Sequence, residues 1–152
     1  MRIIALFLLV QLLLGCSTGV IVHDGNRVAE LIVDFLSGFK TSSGIELSYE
    51  WTDDKFKEDV TLSTFSQTVA SIRNNNQGAD IQLAGYEVFG SVEVIAIYAN
   101  STRGVGNIFF KFVLVGDKTR DYYLLNFETS DYPFSKEGIY REYGQMISIH
   151  GV

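Results

Sequence analysis

Asn74-Asn75-Asn76-Gln77-Gly78 divides the chain into two parts that follow different periods. A polar run this rich in turn formers closes one element and opens another. Before it, apolar residues recur every three to four positions; after it, they alternate. Helices first and strands second is the pattern of an α+β domain, with N-terminal helices packed on one face of a curved antiparallel sheet.

Reading back from Asn74, the residues Leu62, Phe65, Val69 and Ile72 share one face of a helix opened by Thr61 or Ser63. Thr52 is placed to cap a shorter helix, with Asp53 and Asp54 in its first turn, where the dipole favours acidic groups, and with Phe56 and Val60 turned inward. Earlier still, Val28, Leu31, Ile32, Phe35, Leu36 and Phe39 form an unbroken stripe on a helix of about three turns. Asp24 or Asn26 caps its start, and Gly38 with Thr41-Ser42-Ser43-Gly44 supplies its stop.

Reading forward from Gly78, residues 80–89 and 91–99 alternate as two strands around a turn at Gly90. Residues 100–106 read as a polar loop and 107–115 as a third strand. Gly116-Asp117-Lys118 makes a tight turn into a fourth strand over 121–129. Residues 130–138, which hold the single proline, Pro133, form a loop, and the last strand lies within 140–150.

This order of elements resembles the nuclear transport factor two-like cone fold. The positions that carry the likeness are Tyr49-Glu50-Trp51, Phe56-Lys57, Val60-Thr61, Phe65, Val69 and Arg73, and it would span residues 26–152. The resemblance implies a cone whose mouth serves isomerases, dehydratases, ligand carriers and non-catalytic secretion or scaffold subunits alike, so fold alone does not name the function. A cystatin-like arrangement, one helix wrapped by a sheet, is the rival, and the additional helices disfavour it.

The N-terminus follows a different logic. Arg2 precedes an apolar stretch from Ile3 to Leu14, about a dozen residues, and the run stops at Gly15-Cys16-Ser17-Thr18-Gly19. That length suits a signal-peptide core and falls short of the about 20 apolar residues that span a bilayer. Leu13-Leu14-Gly15-Cys16 resembles the lipobox of bacterial lipoproteins, although a smaller residue is commoner at the place of Leu14. The resemblance implies lipid attachment at Cys16, removal of residues 1–15, a lipidated tether over 16–25 and a single domain over 26–152. By the same likeness Ser17, rather than an aspartate, implies the outer membrane, with the domain facing the periplasm. Two or three acyl chains make a stable anchor where one is marginal. An ordinary signal peptide with a chance cysteine, or an uncleaved anchor, remains the alternative.

Composition narrows the partners. The formal charge is −6, and Lys and Arg do not cluster. A nucleic-acid partner would need a basic stripe, so none is expected. With 11 Phe, 8 Tyr and one Trp, residues 16–152 can bury roughly two-thirds of their surface without disulfide staples.

Candidate chemistry is sparse. His23-Asp24 is an acid–base pair by letters, but it precedes the first helix, where Asp24 as a cap is the simpler reading. His150 stands near the C-terminus without an identifiable partner. Asp53, Asp54, Glu58 and Asp59 lack the glycine turn and alternating ligands of a calcium loop. Gly104-Val105-Gly106 has no helix after it to hold a phosphate. No metal and no cofactor is expected.

The aromatic residues carry more weight. Tyr86, Tyr98, Phe110, Phe112, Tyr123 and Phe127 recur on consecutive strands, so Tyr86, Tyr98, Phe110, Tyr123 and His150 are the candidate lining of an apolar pocket; core packing competes for the same rings. Residues 108–115 are hydrophobic on both faces, which calls for a second cover: a protein partner, a homodimer, or the C-terminal segment folded back. The sequence therefore predicts a membrane-anchored envelope lipoprotein with a non-catalytic binding or scaffold domain for a protein partner or a small apolar ligand. The alternative is a cone-fold enzyme, isomerase- or hydrolase-like, acting on a small apolar substrate.

Overall fold

The computed structural model describes residues 21–152 except 91, 104 and 105. Residues 1–15, Cys16 and the rest of the first half of the expected tether, to residue 20, lie outside the described residues. Among the described residues the chain is α+β, with four helices followed by a five-stranded antiparallel sheet that does not close.

Helix α1 (Gly25–Gly38) starts where Asp24 accepts a hydrogen bond from the Arg27 N–H. Its stripe is buried as expected: Val28, Ile32, Phe35 and Leu36 all face the core. The expected stop at residues 41–44 turns out to be a start. Thr41 caps a further helix, α2 (Ser42–Glu50), by accepting from the Gly44 N–H at 3.0 Å. Residues that break a helix and residues that cap one are the same residues, and no apolar stripe over 42–50 separated the two readings. Thr52 is likewise displaced from its expected cap. It is buried and donates to the Tyr49 carbonyl, and Asp53 caps α3 (Asp54–Asp59) in its place. Helix α4 (Leu62–Asn76) is capped by Thr61 and ends at Gln77, which adopts the left-handed conformation at φ 51°.

The strands are β1 (Ile81–Val88), β2 (Val94–Arg103), β3 (Gly106–Val115), β4 (Tyr123–Ser130) and β5 (Ile139–Ile149). Their order across the sheet is β4-β3-β2-β1-β5, so the last strand adds to the edge of the first. Residues 100–106, expected as a loop, belong mostly to the β2–β3 hairpin, whose register runs to Arg103 opposite Gly106. The polar letters misled because Ser101 points inward, where its hydroxyl meets the side chain of Asn76. Against β1, the β5 residues 143–146 bulge out between the pairs Gly85–Glu142 and Leu83–Ile147. Such a bulge keeps an edge strand from templating another chain.

The helices cover one sheet face. Ile95 and Ile97 of β2, Ile108, Phe110, Phe112 and Leu114 of β3, and Leu124 of β4 face them. At the centre Phe35 meets Phe39, Phe65 and Phe112 at ring separations of 5.0, 6.1 and 6.2 Å. Contacts of this geometry contribute about 0.5–1.5 kcal/mol each beyond the area they bury. On the opposite face Phe109, Lys111, Val113 and Val115 are half-buried. Because β4 and β5 lie at opposite edges, residues 131–138 must cross the sheet, and they cross on this second face.

Candidate functional site

Helices α1 and α2 approach closely because each presents a glycine. A Cβ on Gly44 would collide with the Gly38 carbonyl, and one on Gly38 with the Ser48 hydroxyl. Ser48 donates to the Phe35 carbonyl at 2.9 Å, which locks the contact. Beside it opens a groove of about 290 Å³ lined chiefly by Leu31, Phe35, Leu47 and Trp51, with Asp34 at its edge.

Around Leu31 and Trp51 the groove meets a second hollow of about 240 Å³ bordered by Arg27, Asp121, Tyr122 and Tyr123. Trp51 is held there because its carbonyl accepts from the Leu124 N–H, while the Asp53 N–H donates to the Leu124 carbonyl. The linker between α2 and α3 is thereby tied to the edge of β4. The lip is charged: Arg27 pairs with Asp121 at 2.8 Å. The floor is apolar, and Leu47 (72%) and Tyr123 (42%) leave unusual apolar area exposed at its margins. Together these surfaces make a concave site with an apolar floor and polar groups at the rim, the general form of a small-molecule site.

The five candidate lining residues do not gather in one pocket, although Tyr98 and Phe110 border the same small hollow. Tyr86 packs on the helix side against Tyr143, whose ring lies 5.6 Å away and whose hydroxyl donates to the Gly25 carbonyl. Burial, followed by the neighbouring Tyr86 and Tyr140 hydroxyls, raises the Tyr143 pKa well above the ordinary tyrosine range. Phe110 stacks on Phe112 in the core. Tyr123 borders the hollow described above. His150 is exposed and pairs through Nδ1 with Asp80 at 2.8 Å, a partner the sequence did not reveal. His23 reaches the Val92 carbonyl through Nε2, and the Asp24 N–H donates to the Tyr122 hydroxyl. Those two residues are thus docked on the domain rather than free in a linker.

Tyr98 lies on the second face, where its hydroxyl donates to Glu87. Glu87 is fully buried, and its other carboxylate oxygen accepts from the Glu137 and Gly138 N–H groups of the crossing segment. Burial raises its pKa, but the Tyr98 hydroxyl, the two N–H groups and the Lys111 charge act the other way and prevail, leaving it below the ordinary value. Tyr98 is pushed far up by burial and by the carboxylate it donates to.

Leu31, Leu47, Trp51 and Glu87 were not singled out as site residues. A large apolar residue looks the same in sequence whether it lies under the core or beside a groove. Among the described residues, no three or more His, Cys, Asp or Glu side chains gather as a metal site. Nor is any described helix long and apolar enough to cross a membrane. Comparison with known protein families, with curated proteins and with solved structures finds no match to this chain.

Proposed function

We propose that this protein is a bacterial envelope lipoprotein, anchored through Cys16, whose domain is a non-catalytic carrier of a small apolar ligand. The anchoring half of the reading is supported by Arg2, the short apolar run and Leu13-Leu14-Gly15-Cys16. The order of helices before sheet supports an assignment to the nuclear transport factor two-like cone family. The binding half is carried by one observation: the apolar groove around Trp51, with its charges confined to the lip.

Intact mass of the protein extracted from membranes tests the anchor. The expected species begins at Cys16 and carries acyl chains, and Cys16→Ser moves the protein to the soluble fraction. An uncleaved, unmodified chain would refute the anchoring. Trp51 is the single tryptophan, so its fluorescence reports on the groove directly. A long-chain fatty acid should shift its emission, and Leu47→Asp should weaken that response at least tenfold. No shift, with a dimer or a stoichiometric partner in native mass spectra, would move the reading to a scaffold.

The enzyme alternative rests on the Asp80–His150 contact. Both side chains stand in solvent, where electrostatic contacts are screened and water is not excluded. A hydrolytic activity abolished by His150→Ala would establish it.

A further inference from the structure

On the sheet face away from the helices, the crossing segment places its Lys136 ammonium 3.4 Å from the Tyr98 ring centroid and 5.3 Å from that of Tyr140. The two tyrosine rings meet edge to face at 5.9 Å, and Phe134 closes a third side at 6.4 Å from Tyr98. The buried Glu87 carboxylate lies against the Tyr98 hydroxyl and attracts the ammonium electrostatically. A hollow of about 140 Å³ adjoins these groups, bordered also by Phe109 and Pro133. Aromatic faces around a cation with a carboxylate behind them are the composition of an ammonium-binding cage.

We propose that this cage is a binding site for an organic ammonium ligand of the quaternary, choline-like class, and that Lys136 is the internal occupant such a ligand displaces. Three observations carry the proposal. The cage already holds an ammonium, so its chemistry is matched to that charge. Lys136 is replaceable: its side chain lies on an exposed segment, and its hydrogen bond goes to the Phe134 carbonyl two residues earlier in that same segment. The segment is tied to the sheet separately, through the Glu137 and Gly138 N–H groups on Glu87, so Lys136 can swing out without undoing that tie.

The lysine also fits less well than the proposed ligand. A primary ammonium is strongly hydrated and loses that hydration at the rings, whereas a quaternary one has less to lose. Burial correspondingly lowers the Lys136 pKa, against the pull of Glu87.

The test is titration of the purified full chain with choline, followed by proton NMR of the aromatic rings and by calorimetry. Choline at millimolar concentration is expected to shift the Tyr98, Tyr140 and Phe134 resonances. Lys136→Ala, which removes the internal competitor at an exposed position, should tighten binding about fivefold or more, and Tyr140→Leu should abolish it. The neutral isostere 3,3-dimethylbutanol should bind at least tenfold more weakly. Equal affinity for the neutral isostere would overturn the proposal, as would shifts confined to other residues. So would unchanged affinity in Lys136→Ala, or the absence of binding to both the parent and that variant.

Discussion

Asn76, the last residue of α4, is fully buried and accepts a hydrogen bond from the Ser101 hydroxyl of β2. Its amide nitrogen donates to the backbone oxygens of Ala79 and of Val152, beyond β5. One side chain thus fastens the helical half, the hairpin and the segment that follows β5.

Asn76→Leu leaves two carbonyls and a hydroxyl without their partner. Each unpaired buried group costs about 1–3 kcal/mol, partly relieved by rearrangement, so a loss of about 3 kcal/mol is expected by urea denaturation. Asn76→Asp sets a carboxylate against two backbone oxygens, and its stability deficit relative to the parent should shrink on acidification as that group is neutralised.

Glu87 makes an acid limb in the stability profile. Its pKa is lowered in the folded state, so its contribution is complete above the ordinary value of 4.5 and is lost as pH falls through the folded value. Glu87→Gln should lower stability at neutral pH by about 1–3 kcal/mol and flatten that limb. Denaturation midpoints measured from pH 7 to pH 3 decide it; an unchanged slope would contradict the role given to this carboxylate.

Four of the eight tyrosines, Tyr98, Tyr122, Tyr140 and Tyr143, are held protonated above the ordinary value of 10, in each case chiefly by burial. Absorbance titration at alkaline pH should show a late phase that coincides with unfolding. Tyr98→Phe and Tyr143→Phe should each reduce the amplitude of that phase.

The contact between α1 and α2 tolerates no added methyl group. Gly44→Ala should cost about 1–3 kcal/mol through overpacking against the Gly38 backbone and should alter Trp51 emission as the groove widens. Gly144→Ala, where an added Cβ meets nothing, should remain within about 0.5 kcal/mol of the parent. Thermal melts of the two variants make the comparison.

The elements legible in the sequence are those whose burial repeats. Helix α1 could be read because Val28, Ile32, Phe35 and Leu36 are buried on one stripe. Helix α2 could not, because Ser48 is its buried residue while Leu47 points outward. Ser101 hid the end of β2 for a related reason: it satisfies its polarity inside rather than in water. The site was less legible than the fold. Trp51 is placed by hydrogen bonds between its linker and Leu124, and Glu87 is covered by a segment 50 residues further on. Neither placement leaves a local period. The candidate tyrosines were separated for the same reason: alternation divides residues between two faces, but a bulge at Ala84 resets the phase between β1 and its neighbours.

The position of β5 also bears on when the native state can form. Ile81 is paired with Ile149, and Asn76 with Val152, 76 positions further on, so the first strand and the last helix are completed by residues distant in sequence. Until β5 docks, β1 has a bare edge and the Asn76 amide lacks one of its acceptors. Contacts so distant in sequence also form slowly. The helices and the β2–β3 hairpin therefore close on local contacts, whereas commitment to the native state waits on the pairing of β1 with β5.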